Sequence, residues 1–480
     1  MSFWYRNGVC SNNPHSHRQD RHSFKRKTRA RHKASALLAL CGIGIAAHAQ
    51  DTPPPGITAS FDVTQRLEYS DNPDLEIEDD PDFFGRTILA FDLESATPLE
   101  NFTLSLGTDI EEGRNDRATV DATNSFVQLG YDRATRNANI GTTLRYRESD
   151  TSSTFLDDDF DSDGRVLNQD SGTRQNYGFG LTGAVGVEAP IGASFSLDYS
   201  ELRYSGTEDP DLTDRSTLDT SAQINFRIDP RIIARLTTKY IDFDAQGNGT
   251  SRETTGFGAG VLLEFTPLLT GDFSASYDTI ERSGDETGTN EGTSFSAELT
   301  RTLTNGTLGA TLSSDVSSNS DGRRAFFAVN REMNLSRRAA LSYSLGGTRS
   351  ENSSFEPLVD IDYSYALPTS QITFGLSQRF NTDSDNEEQI NTTLNAGYQH
   401  QINNLSSFGA DVSLFDRNEL GPLADDARRI NLSLSYQYAL TRDWGLVSGV
   451  SHILSTSESE DDRSSNTVFI GLQRNFSWNP

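Results

Sequence analysis

INLSLSYQYAL, residues 430–440, alternates without a break. Ile430, Leu432, Leu434, Tyr436, Tyr438 and Leu440 are apolar, and Asn, Ser, Ser, Gln and Ala stand between them. Successive side chains of a β-strand leave opposite sides of the backbone, so this pattern gives one greasy face and one wet face. Yet the chain is only 34% hydrophobic, with a mean hydropathy of −0.56. The question is what the greasy faces pack against.

The alternation recurs from ITASFDVTQRLEY (57–69) to TVFIGLQRNFSW (467–478). It predicts about 22 antiparallel strands of about ten residues, within a range of roughly 20 to 24. The connections alternate too. Short ones such as TPLEN (97–101), APIGA (189–193) and DPR (229–231) take turns with long acidic ones such as SDNPDLEIEDDPDF (70–83) and RSGDETGTNEG (282–292). That is an up-and-down meander, and an even strand count places both ends of the sheet on one side.

A soluble sheet would bury these faces against a second layer, with mixed strand lengths and continuous apolar runs in central strands. Uniform alternating strands suit a tilted crossing of a bilayer instead. The other phase holds Arg66, Glu68, Asp92, Glu94, Asp109, Arg145, Arg147, Arg227, Arg235, Lys239, Glu264, Asp278, Glu298, Asp360 and Asp362. So many charges on one side of a sheet need water. The expected fold is therefore all-β, a transmembrane barrel with lipid outside, a wet lumen inside, short periplasmic turns and long extracellular loops. Tyr69, Tyr131, Tyr146, Tyr204, Tyr240, Tyr277, Tyr398, Tyr438 and Trp444 lie near strand ends, where aromatic girdles form.

The N-terminus reads as an export signal. Residues 1–33 are a basic extension ending in KRKTRARHK (25–33). ASALLALCGIGIAA (34–47) is apolar, and Ala47-His48-Ala49 before Gln50 is a cleavage signature between Ala49 and Gln50. Residues 50–480 then form a single barrel domain. The whole chain carries −28, and residues 50–480 carry −36, with Lys239 as their one lysine. Such acidity argues against nucleic acid as a partner. Cys10 and Cys41 both lie in the leader, so the exported part has no disulfide or thiol chemistry.

At this point the chain resembles the bacterial outer-membrane β-barrel proteins of porin-like kind, most of all the β-barrel porin-2 type linked to exopolysaccharide systems. The likeness rests on pattern over nearly all of residues 50–480. It implies a place in the outer membrane of a Gram-negative bacterium, among lipid and lipopolysaccharide, and supplies no catalytic residues. The last strand, with Val468, Ile470, Leu472, Phe476 and Trp478 in one phase, is similar to the C-terminal signal of the barrel-assembly machinery. It departs from that signal at Arg474 and in the overhang from Ser477 to Pro480. Twenty-two strands are also similar to TonB-dependent transporters. Those need a coupling box and a plug, and only QDTPPPG (50–56) lies between the leader and the first strand, so active transport of that kind is not expected.

One loop carries a specific motif. In DDDFDSDGRVLNQD (157–170), Asp159, Asp161 and Asp163 fall at positions 1, 3 and 5 of a calcium loop. Gly164 is at 6, and Asp170 stands at 12 where a bidentate Glu is usual. These four Asp are candidate calcium ligands, calcium being the one candidate cofactor. The same long loop, about residues 148–174, is the available material for narrowing a wide lumen. No nucleophile elbow, metal-binding His pair or phosphate loop occurs. His400 and His452, the two histidines after the leader, sit in lipid-facing phase. The chain is expected not to be an enzyme. The expected function is a passive channel for small hydrophilic solutes or saccharide. The alternative is a structural barrel whose loops bind calcium and polysaccharide without conductance.

Overall fold

The computed structural model describes residues 56–75, 81–113, 120–151, 172–207, 212–246, 249–284, 287–317, 322–351, 354–382, 388–420, 426–457 and 461–479. All their regular structure is β. The first strands are β1 (Gly56–Ser70), β2 (Asp82–Ala96), β3 (Glu100–Glu112), β4 (Val120–Ala134), β5 (Ala138–Asp150), β6 (Thr173–Val185) and β7 (Ile191–Ser205). Next come β8 (Arg215–Asp229), β9 (Ile232–Ala245), β10 (Thr250–Thr266), β11 (Leu269–Gly284), β12 (Gly288–Leu303), β13 (Gly306–Val316), β14 (Arg323–Asn334) and β15 (Ala339–Ser350). The last are β16 (Phe355–Ala366), β17 (Ser370–Thr382), β18 (Glu388–Asn403), β19 (Ser406–Glu419), β20 (Ala427–Ala439), β21 (Trp444–Ser457) and β22 (Arg463–Trp478).

Each strand pairs antiparallel with the next. β22 then pairs with β1, with Arg66 opposite Gly471, and closes the barrel. Closure leaves no edge strand in the sheet, so across the span the wall's backbone groups bond within it, as hydrocarbon demands. Polar side chains reinforce the seam. Asn466 donates to Asp71 through its backbone N at 2.6 Å and its Nδ2 at 2.7 Å, and Asn475 Nδ2 donates to Asp62 at 2.8 Å.

The wall is inside out. On β1, Leu67 and Tyr69 are 50% and 47% exposed, whereas Arg66 and Glu68 between and beside them are 8% and 3% exposed. The opening stretch behaves alike: Leu432, Leu434, Tyr436, Tyr438 and Leu440 are all exposed on the outer face. Apolar surface presented this way belongs in lipid, where each fully covered Leu or Ile contributes about 1.5–3 kcal/mol.

The strands run 11 to 17 residues, longer than the expected ten. Alternation marks only the part of a strand that meets lipid, and pairing continues past it among polar residues. RSGDETGTNEG (282–292), expected to be a loop, is mostly hairpin: Arg282 pairs with Gly288. One irregularity shifts the phase. The β3–β4 register slips between Gly107 and Asp109, and Asn124 there adopts φ 51°, a left-handed conformation that Asn tolerates. Its Nδ2 donates to Asp109 Oδ2 at 3.3 Å.

Candidate functional site: the lumen wall and its constriction

Cross-strand partners share a face, so the inward phase of Arg66 and Glu68 can be followed around the wall by register. It passes through Asp92, Glu94, Asp109, Arg145, Arg147, Arg227, Arg235, Lys239, Glu264, Asp278, Glu298, Asp360 and Asp362. Several are held in place. Arg86 bridges β1 and β3, with Nη1 3.6 Å from Glu68 Oε2 and Nη2 2.6 Å from Glu111 Oε1. Ser105 Oγ donates to Asp92 at 2.6 Å, Thr300 Oγ1 to Glu298 at 3.1 Å and Ser342 Oγ to Asp362 at 3.4 Å.

Two inner bridges skip a strand. Arg235 on β9 pairs with Asp272 on β11, and Lys239 Nζ lies 3.1 Å from Asp278 Oδ1. β10 lies between them and offers Gly260 and Gly256 at those points. A Cβ on Gly260 would sit 2.6 Å from Arg235 Nε, and one on Gly256 would collide with Asp278 Oδ1.

The inner rows run on to the rim, and one expectation changes near the other end. The Arg227 guanidinium donates to the carbonyls of Val187 and Glu188, at 3.1 and 3.3 Å, so it braces a short turn at the rim. Tyr204 is not a girdle residue: it lies opposite buried Arg174, in the inward phase with Leu202. His400 and His452 face outward. His400 Nδ1 is 2.7 Å from the Ser370 hydroxyl and stacks beside Tyr398, and His452 Nδ1 is 2.9 Å from Asn466 Oδ1. Asp159, Asp161, Asp163 and Asp170, and the cleavage site at Ala49 and Gln50, lie outside the described residues. Among the described residues no cluster of His, Cys, Asp and Glu could hold a metal ion.

The inward rows also include residues the sequence reading passed over. Arg174, Arg252, Arg417 and Arg429 are buried near the long-loop end, as the expected Arg66 is. Arg66 stacks 4.4 Å from the centroid of Phe469, Arg252 4.2 Å from Phe243 and Arg86 5.6 Å from Phe84. Inward phenylalanines make sense as platforms for guanidinium groups. Lower down, Asp198 and Asp219 stand directly opposite each other on β7 and β8. Like charges facing across a ladder oppose its stability, which marks that row as a lumen feature and not a structural one. The same period-two rule would have found all of them.

An inward fold of the wall forms where it was not expected. β16 and β17 pair only from Asp360–Ser377 to Ala366–Gln371. Beyond that, β16 stays with β15 as far as Phe355 opposite Arg349, while β17 stays with β18 as far as Thr382 opposite Glu388. The wall therefore forks at its loop end. The outer ends of β17 and β18 lean inward: Phe380 and Ile390 pack on Leu358, with Phe326 and Leu420 beside them. Arg324 Cζ lies 5.1 Å from the Phe380 centroid, and Ser350 Oγ donates to Glu388 Oε1 at 2.6 Å, from β15 to β18. The loop at about 148–174, expected to narrow the lumen, lies mostly outside the described residues.

The sequence matches no described protein family and no curated protein. Solved structures do match the fold. The ferric enterobactin receptor of Pseudomonas aeruginosa in complex with enterobactin is similar at 11% identity, TM-score 0.50, covering 89% of this chain and 82% of that one. The FrpB iron transporter of Neisseria meningitidis is similar at 10% identity, TM-score 0.50, covering 87% and 81%. The ferric-catecholate import receptor Fiu of E. coli K12 is similar at 11% identity, TM-score 0.50, covering 89% and 82%. At such identities the shared property is the fold: this chain is a closed 22-strand antiparallel β-barrel of the outer-membrane kind.

Proposed function

We propose that the chain is a channel in the outer membrane of a Gram-negative bacterium, through which small hydrophilic solutes, saccharides among them, pass down their own gradients. The inside-out wall carries this reading. Its outer face is apolar, its inner rows hold charged, amide and hydroxyl groups that need water, and the described residues are wall strands and their connections. Inward charges of both signs act on whatever permeates, and the acidic loops concentrate cations at the mouth. No reaction is part of the proposal. The iron carriers of the like-folded proteins are not assigned to this chain.

Single-channel recording on protein refolded into planar bilayers tests it. Stepwise conductance is expected, and a folded barrel that stays silent overturns it. One observation favours the second reading, a structural barrel with calcium- and polysaccharide-binding loops. Inner residues at the loop end, Ile241, Thr250, Ser350 and Gln389, are shut off from solvent.

A further inference from the structure

We infer that the outer ends of β17 and β18 are a strap that sets the bore of the lumen, seated inward by side chains and kept off the wall by Pro357. The inference rests on the channel reading and names the element that decides which solutes fit.

The fork is a defect that a closed barrel does not need. Past Asp360–Ser377, residues 355–359 of β16 have lost one ladder partner, and residues 378–382 of β17 have lost the matching one. Pro357 stands in the parted stretch of β16. Proline has no N–H to give a ladder and is confined to sheet edges. β16 turns into an edge around this residue.

The freed end of β17 is not left in the wall plane. Gln378 lies in a small recess with Phe326, Ala328 and Leu358, which are inner-face residues of β14 and β16. Phe380 continues over Leu358, and Glu388 reaches the Ser350 hydroxyl three strands away. Glu388 and Ile390 belong by register to the outward phase of β18, yet both are buried. That inversion occurs only if these strand ends have folded across the inner surface, so that their former outer face meets the inner face of β14–β16. The opposite face is covered as well, since Asn381 and Gln389 are buried.

Two arrangements of one segment follow. Folded in, the strand ends are held by an apolar cluster, one guanidinium–ring contact and one hydroxyl–carboxylate bond, and they occupy lumen. Zipped onto β16, they would be held by backbone hydrogen bonds, less one donor at Pro357, and the lumen would be wider. β18 stays paired with β19 as far as Gln389 opposite Glu419, which supplies a fixed line for the strap to turn about. A segment with two packings of similar stability is what switching elements are made of.

The test uses full-length mature protein in planar bilayers with potassium chloride, and liposome swelling with saccharides of increasing size. Phe380→Ala with Ile390→Ala removes the seat, and Pro357→Val restores the missing N–H. Each is expected to raise unit conductance roughly twofold or more and to admit larger saccharides, because bore sets passage. Phe126→Ala, an inward ring on β4 away from the fork, is the control and is expected to leave both unchanged. Independently of current, Ser350→Cys with Glu388→Cys should be joined by a short bis-maleimide in the refolded barrel, and the joined form should hold the low conductance. Cross-linking without conductance in any variant keeps the seating and sinks the channel. Conductance that is identical in all variants, or failure to cross-link, overturns the strap.

Discussion

Arg235 and Asp272 form an ion pair across a strand that lies between them. Arg235 Nη1 donates to Asp272 Oδ2 at 2.6 Å over Gly260 of β10. The two side chains are 20% and 31% exposed, so the pair is worth about 0–1 kcal/mol by itself. The glycine matters more. A Cβ there would meet Arg235 Nε at 2.6 Å and the Phe273 carbonyl at 2.9 Å, and the carbonyl belongs to the ladder and cannot step aside.

Gly260→Val is therefore expected to cost about 1–3 kcal/mol through overpacking, and Asp272→Asn less. Ala259→Val, one residue away on the lipid face, is expected to be close to neutral. Urea unfolding in lipid vesicles measures all three. Equal losses for Gly260→Val and Ala259→Val would mean that the inner face of β10 is not crowded.

The barrel was legible in the sequence because one rule, alternation, acts on every strand, and lipid enforces it over the span. Leu432, Leu434 and Tyr436 could be placed outside without knowing any neighbour. The fork was not legible. Nothing in VDIDYSYAL (359–367) or QITFGLSQRF (371–380) says that pairing stops at Asp360, and Phe380 reads as one more lipid-facing aromatic. Its burial depends on Leu358 and Ile390, one on the strand before it and one on the strand after. Pro357 was the available signal, since a proline two residues into a strand marks an edge. The strand-skipping pairs were hidden for a similar reason: they need the register of three strands at once.

Calcium is expected to bind DDDFDSDGRVLNQD (157–170), which lies outside the described residues. With Asp170 in place of a bidentate Glu, affinity should fall near the weak end for such loops, about 10⁻⁴–10⁻³ M. Calorimetric titration of the refolded barrel should show one such site, and Asp161→Asn should weaken it several-fold. A mutant isotherm that overlays the parent's would remove calcium from the account.

The seam between β22 and β1 joins residues some 400 apart in sequence, so its closure carries a large loop-entropy cost and depends on local grip. Phe61 and Phe476 stack at 6.1 Å between centroids, beside the Asn475–Asp62 bond. Phe476→Ala should cost about 0.5–1.5 kcal/mol from the ring pair, on top of the lipid contact it gives up. Asn475→Ala should cost about 0.5–1.5 kcal/mol for one hydrogen bond. The temperature at which the folded band shifts on unheated-versus-heated gels should fall in that order. No shift for Phe476→Ala would show that backbone pairing alone holds the seam.

The sharpest test of orientation compares two adjacent residues. Leu434 is 47% exposed on the outer face at the middle of β20, and Ser435 faces the lumen beside Gly409. Leu434→Arg places a guanidinium in hydrocarbon, at a cost of about 2–4 kcal/mol near the bilayer midplane. Ser435→Arg places the same group among water and the inner carboxylates, including Asp411 on the next strand, and is expected to cost under about 1 kcal/mol. Both arginines have the same backbone propensity and sit one residue apart on the same strand, so the main difference is the solvent each side chain meets. Refolding yield and urea midpoints in vesicles should separate them by at least that margin. The reverse order would put water outside the wall and a packed core within it.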